Sequence, residues 1–407
     1  MEKCIVIGAS HAGAQLVASL RQQGWTGAID LIGDEPYLPY HRPPLSKAFL
    51  AEDKSIDELL IRPASAYEKA GITTHLGARV VAVDGQAKTV TLDDGRQLTG
   101  SQLVFATGGL ARRLPIGGAD LEGVCVLRDA HDVQLIKSRA KQGVRAVIIG
   151  GGYIGLETAA SLTKLGMSVT VLEAENRLLA RVTGPEISAF YQRIHQEEGV
   201  EILTSAMASQ LIGQSSVEAV VLKDGRSVPA DLVIVGVGIS PDTALAEATG
   251  VEVDDGIVVN EDCQTSLDDI YAVGDCARQV HALYGKSLRI ESVQNANDQA
   301  KCAAAAICGQ PRPSAALPWF WSDQYDVKLQ IAGLSQGFDT IVVRGDVSAG
   351  RSFTAFYFKG DALLACDAVN SPLEFMVTKK VLSGGGSIPA DVVANPAVDL
   401  RELLKPK

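Results

Sequence analysis

The sequence has no excess of basic charge, no cysteine pair and no long apolar run. Its 37 Lys and Arg stand against 48 Asp and Glu, a formal net charge of -11. That balance lacks the basic field that a nucleic-acid partner requires. No stretch approaches the ~20 apolar residues of a membrane span, so no membrane partner is expected. Met1 is followed almost at once by the strand-like run Cys4-Ile5-Val6-Ile7, with no basic region, apolar core or cleavage site ahead of it. A cytoplasmic location is the expectation. The seven cysteines (Cys4, Cys125, Cys263, Cys276, Cys302, Cys308 and Cys366) are scattered without a C-x-x-C spacing. Neither a metal site nor a redox disulfide is indicated, and each cysteine reads as a small buried hydrophobe or a bland surface thiol.

What the chain does have is length and glycine. A chain of 407 residues suffices for two or three domains. Its 40 glycines fall in a few turns rather than in a low-complexity tract, which predicts repeated strand–turn–helix units.

The first such unit opens the chain. Cys4 to Ile7 reads as a strand, Gly8-Ala9-Ser10-His11-Ala12-Gly13 as a glycine-rich turn, Ala14 to Gln23 as a helix and Ile29 to Ile32 as the next strand. In such a βαβ unit the helix N-terminus can hold a pyrophosphate through its free N–H groups and dipole. Ser10 replaces the middle glycine of G-x-G-x-x-G, which weakens the motif taken alone. Asp34 and Glu35 follow the second strand, where an acid commonly holds a ribose hydroxyl.

The second unit is cleaner. Ala146 to Ile149 is a buried strand, followed by Gly150-Gly151-Gly152-Tyr153-Ile154-Gly155, a helix from about Leu156 to Leu165, and Gly166 as its C-terminal stop. The strand Ser168 to Leu172 then delivers Glu173, about twenty residues after the turn. A glutamate there can accept both ribose hydroxyls of NADH and repels the 2′-phosphate of NADPH, so NADH is the expected donor.

Two dinucleotide folds imply two dinucleotides, and a third signal makes one of them FAD. An apolar strand ends in Val273-Gly274-Asp275, where a carboxylate can accept a hydrogen bond from the ribityl chain. Ser292-Val293-Gln294-Asn295 then opens an alanine-rich helix reaching about Cys308. Its positive end, aimed at the flavin N1–O2 edge, would stabilise reduced flavin.

Seven segments now resemble the ferredoxin reductases of bacterial oxygenase systems: Pro43-Pro44-Leu45-Ser46-Lys47, Ala106-Thr107-Gly108-Gly109, Gly150 to Glu157, Arg181-Val182-Thr183, Val273 to Ala277, Arg289 to Val293, and Trp319-Phe320-Trp321-Ser322-Asp323-Gln324-Tyr325. The resemblance implies an α/β fold of the glutathione-reductase type, with two Rossmann-like dinucleotide-binding domains and a C-terminal α/β domain. Carried onto this chain, the FAD domain covers 1–110 plus 237–315, the NADH domain 111–236 and the C-terminal domain 316–407. In the last, Thr340 to Val343 and Phe353 to Phe358 suit antiparallel strands.

The resemblance also assigns roles. Hydride passes from NADH to FAD N5, and single electrons then leave to a 2Fe–2S ferredoxin feeding an oxygenase, with a haem monooxygenase favoured over a Rieske dioxygenase. Disulfide reductases of this fold carry cysteines beside the flavin. Here Arg42 to Lys47 has no thiol, so electrons must leave the flavin directly. Lys47 is expected near flavin N5, with Glu157 and Glu291 at the nicotinamide carboxamide. The FAD contacts are expected from Gly8, Ser10, His11, Ala12, Asp34, Arg42, Lys47, Val80, Arg128, Asp275 and Val293. Those to NADH are expected from Gly150, Gly152, Tyr153, Ile154, Gly155, Glu173 and Arg181. Trp321 joins the cofactor set.

Plainer readings stay open: a surface lysine at Lys47, a solvated helix-turn glutamate at Glu157, ordinary ion pairs at Arg42, Arg128 and Arg181, and packing at His11. Trp319 and Trp321, two apart on a strand, share a face and belong either to a docking surface or to the core. Lys301, Arg312, Lys328, Arg344 and Arg351 are candidates for a basic docking patch. Two other functions remain: an NADH oxidase or diaphorase, and a flavoprotein that senses NADH.

Overall fold

Near-continuous apolar runs form the centres of two parallel sheets, as expected where both faces of a sheet are covered. In the computed structural model, which describes residues 2–404, the chain divides into two units. The first comprises 1–41, 55–110 and 239–316; the second comprises 42–54, 111–238 and 317–407.

In the first unit the strand Lys3–Ile7 lies between Ala28–Gly33 and Gln102–Phe105. Ile72–Leu76 and Ile270–Ala272 form the two edges, and all five strands are parallel. The helices His11–Gln22 and Val293–Ile307 meet over this sheet. Ala12, Leu16, Val17 and Leu20 of one share a buried cluster with Ala296, Ala300, Ala303 and Ala304 of the other. The alanine face of the second helix lets the two axes approach closely.

The second unit repeats the plan. Arg145–Ile149 is central, flanked by Ser168–Leu172 and Leu232–Val235, with Glu201–Leu203 and Val124–Val126 at the edges, again all parallel. Each parallel sheet therefore sends its central strand into a glycine turn and its next strand into an acidic residue. The C-terminal part of this unit is an antiparallel sheet in the order Trp319–Gln324, Val327–Gly333, Ala362–Val369, Phe353–Lys359, Thr340–Gly345. Phe353 to Phe358 are buried without alternation, because this inner strand is covered on both faces. Phe353 and Tyr357 meet the region of the helix Pro185–Glu197, while the helix Pro372–Ser383 packs on the sheet as well.

Both helices that follow a glycine turn start earlier than the spacing predicts, at His11 and Tyr153 rather than at Ala14 and Leu156. The last glycine of each motif is the third helical residue. It is glycine for clearance, since a Cβ on Gly13 would lie 2.0 Å from the Gly8 carbonyl oxygen, and one on Gly155 would lie 2.1 Å from that of Gly150. Gly166, at φ +78°, follows the helix Tyr153–Lys164 in the left-handed conformation that ends helices.

Candidate active site

In the first unit, Gly8 (φ +117°) turns the chain so tightly that a Cβ would lie 2.1 Å from the Ala106 oxygen. Ser10 is the helix N-cap with extended backbone, φ -121° and ψ -153°. Its counterpart Gly152 is extended too, φ -81° and ψ 179°. Neither position demands glycine for conformation, and that is why serine fits at 10. His11 is buried with its ring 5.5 Å from that of His41, and Ala12 is buried beside it. Asp34 is exposed and pairs with Arg79 at 3.6 Å, whereas Glu35 accepts the Tyr40 hydroxyl. Val80 is a buried strand residue.

Asp275 sits in the short 3-10 turn Gly274–Cys276, and its carbonyl accepts from Arg289 Nη1 at 3.2 Å. Val293 begins its helix, which Ser292 caps by accepting the Asn295 N–H at 3.1 Å. No acidic side chain occupies the first turn of this helix or of His11–Gln22, so both positive ends can face an anion. Glu291, in this same unit, is paired with Arg289 at 2.6 Å.

In the second unit a Cβ on Gly152 would meet nothing within 4 Å. The head of the helix Tyr153–Lys164 therefore opens onto free space and carries no acid in its first turn. That cradle fits a pyrophosphate. Glu173 stands beside it, accepting the Gly151 N–H at 2.8 Å through Oε2 and the Glu175 N–H at 2.8 Å through Oε1. These bonds fix the carboxylate and leave it lone pairs for ribose hydroxyls. Ile154 is 44% exposed at the same helix end. Arg181 is exposed and makes no ion pair among the described residues, whereas Arg177 is tied to Thr183, Ser188 and Ala180. The Tyr153 ring lies against that of Phe320, tilted by 38° with centroids 4.9 Å apart. Arg42 donates to the Arg128 carbonyl at 2.8 Å, bringing two of the expected FAD contacts together.

Lys47 and Glu157 meet as an ion pair, Nζ to Oε2 at 2.7 Å, with Glu157 only 2% exposed. Glu157 is thus a buried group rather than a solvated one. Ser46 donates to Oε2 and Ser322 to Oε1, each at 2.6 Å, so the buried charge has one cation and two hydroxyl donors. Ser161 anchors the arrangement by donating to the Ser46 carbonyl at 2.7 Å. The chain continues from Ser322 to Gln324, His195 and Tyr325. None of Ser46, Ser322, Gln324, His195 or Tyr325 stands among the sequence-derived site residues. Strand alternation does place Ser322 and Gln324 on one side of Trp319–Gln324, but which side is buried is not written in the segment itself.

Trp319 and Trp321 are half-buried and stacked, centroids 5.4 Å apart, with Lys379 over Trp319 at 4.5 Å. The basic-patch candidates are mostly neutralised. Arg312 pairs with Glu261, Lys301 with Asp298, Arg344 with Glu374, and Arg351 with Asp326, Glu197 and Glu198. Burial holds His195 neutral, with its pKa pushed down to about 4, and pushes Asp367 up to about 7. Among the described residues no cluster could hold a metal ion, and no helix is long and apolar enough to cross a membrane.

These features match known proteins along the whole chain. Residues 2–300 match the family model for pyridine nucleotide-disulphide oxidoreductases, and 319–404 match a reductase C-terminal domain. The chain is 42% identical to putidaredoxin reductase of Pseudomonas putida, covering 99% of this chain and 97% of that protein. It is equally 42% identical to a ferredoxin–NAD(P)(+) reductase of a Sphingomonas species, over 99% and 97%. The reductase in a solved covalent putidaredoxin reductase–putidaredoxin complex superposes with a TM-score of 0.96 at 42% identity, covering 99% of this chain and 98% of that one. The fold, the two glycine cradles and the matches together establish that the chain belongs to the pyridine nucleotide-disulphide oxidoreductase family, as an FAD- and NAD(P)H-dependent enzyme of the ferredoxin reductase type.

Proposed function

We propose that this enzyme is a cytoplasmic NADH-dependent ferredoxin reductase that supplies single electrons to a 2Fe–2S ferredoxin, and through it to an oxygenase, with a haem monooxygenase favoured. The observation that carries the reading is the stretch Arg42 to Lys47. It holds no thiol, and its lysine closes on a buried glutamate. With no thiol in that stretch, electrons have no flavin-side sulfur to pass through and go to an external one-electron carrier. A solved relative joined to putidaredoxin supports a carrier of that class.

When bound, FAD supplies hydride acceptance from NADH and release of electrons one at a time. The chain's own residues bind and orient. The FAD domain, over 1–110 and 237–315, offers two helix ends and the Gly8–Gly13 turn to the flavin dinucleotide. Residues 111–236 hold NADH at Gly150 to Gly155. There Glu173 selects the ribose diol against a 2′-phosphate, and Arg181 offers a guanidinium to the phosphates or ribose. Lys47 presents its ammonium to the flavin, while Glu157, oriented by three donors, and Glu291 address the carboxamide. Trp321, in the 316–407 domain, remains in the cofactor set.

Anaerobic stopped-flow mixing with NADH, then with a 2Fe–2S ferredoxin, tests the reading. Fast bleaching of the flavin followed by fast reoxidation by the ferredoxin is expected. Bleaching without transfer to any ferredoxin would shift the assignment to an oxidase or diaphorase.

A further inference from the structure

The buried Glu157 sets the direction of a hydrogen-bond chain that ends at a hairpin turn. As the partner of the Lys47 ammonium it is a carboxylate and only accepts. Ser322 must then donate to Oε1, which leaves its own oxygen to accept from Gln324 Nε2 at 3.0 Å. With the Gln324 amide so turned, its Oε1 accepts, and the His195 Nε2 at 2.8 Å must carry the proton. His195, kept neutral by burial, then has a bare Nδ1 that accepts the Tyr325 hydroxyl at 3.0 Å. Ser322, Gln324 and His195 are 0%, 1% and 0% exposed, so water does not compete for these bonds. Tyr325 sits in the turn between Trp319–Gln324 and Val327–Gly333 at φ +56°, a left-handed conformation that is strained for a bulky residue. Glycine would suit that turn better and could not reach His195.

We propose that Ser322, Gln324, His195 and Tyr325 form a positioning relay for Glu157, with His195 as its pivot. The relay reserves Oε1 for Ser322 and leaves Oε2 to Lys47 and Ser46, so the carboxylate holds one rotamer. Without a donor at His195, the Gln324 amide is free to flip. Ser322 can then donate to Gln324 instead, and Glu157 loses one of its three donors. The inference rests on reading Lys47 and Glu157 as the pair that orients the nicotinamide chemistry.

Two measurements on the full-length holoenzyme test it. In protein labelled with [15N]histidine, with the His195 resonances assigned by their loss in His195→Gln, the wild type is expected to show the Nε2–H tautomer at neutral pH. Ser322→Ala is expected to bring in the Nδ1–H form. An Nδ1–H tautomer in the wild type, or a tautomer indifferent to Ser322→Ala, overturns the relay. In stopped flow, His195→Leu is expected to slow flavin reduction at saturating NADH several-fold with the Kd for NADH unchanged. His195→Gln, which keeps a donor for Gln324, is expected to recover most of the rate, and equal slowing in both variants overturns the positioning role. Failure of NADH to bleach the wild-type flavin would instead sink the functional reading, and the tautomer measurement would still decide the relay.

Discussion

At the scale of single residues, Glu173 does two jobs with one carboxylate. It accepts the N–H groups of Gly151 and Glu175, and its remaining lone pairs are available to a ribose diol. A charged hydrogen bond contributes about 1.5–3 kcal/mol, and each 1.4 kcal/mol is roughly tenfold in affinity. Glu173→Ala is therefore expected to raise the KM for NADH at least tenfold or so and to narrow the preference over NADPH; steady-state kinetics with both nucleotides measure this. An unchanged KM would remove Glu173 from the ribose site. This residue was legible in the sequence because the strand–turn–helix–strand spacing is local. Lys47 and Glu157 were both assigned to the site only through resemblance, since 110 residues separate them and no local pattern links them. No role was legible for His195, nor for Gln324 within its resembling segment. A histidine near the end of an amphipathic helix and a glutamine in an aromatic strand look ordinary until the fold brings them to 2.8 Å.

At the scale of elements, the glycine turns and the parallel strands could be read directly because local sterics and continuous apolarity dictate them. The helix starts were misplaced by three residues in each unit. The last glycine of each motif, read as the end of the turn, proved to be a helical residue that gives clearance to the turn. The ties between elements were not readable. Tyr357, on Phe353–Lys359, shows the kind of tie that is missed. Its hydroxyl donates to Asp367 on the neighbouring strand and accepts the Gly184 N–H at the N-cap of the helix Pro185–Glu197. Tyr357→Phe keeps the ring and removes both bonds, leaving a buried N–H unsatisfied, a change that costs about 1–3 kcal/mol. A matching loss of stability in urea melts is expected, with NADH affinity little altered. A variant as stable as the wild type would mean that the hydroxyl adds nothing to the junction.

At the scale of the whole molecule, two buried groups give the second unit opposing pH dependences. His195 has its pKa pushed down to about 4 by burial, against ~6.5 in an unfolded chain. As pH falls through that window the unfolded state takes up a proton that the folded state refuses, so stability falls by roughly 3 kcal/mol across it. Asp367 has its pKa pushed up to about 7 by burial, tempered by the Tyr357 donor. The folded state keeps a proton that the unfolded state releases above ~3.9, so stability falls as pH rises, by roughly 4 kcal/mol once pH 7 is passed. The two slopes offset one another between about pH 4 and 6.5. Asp367→Asn keeps an acceptor for Tyr357 and removes one slope. Its urea midpoint, followed by the fluorescence of Trp319 and Trp321 in the same unit, is expected to exceed that of the wild type most at pH 8. The gain should shrink steadily toward pH 4, so that only the variant loses stability on acidification through the histidine window. A constant offset between the two proteins at every pH would show that Asp367 is ionised in the fold, with the proton assigned here to the carboxyl absent at neutral pH.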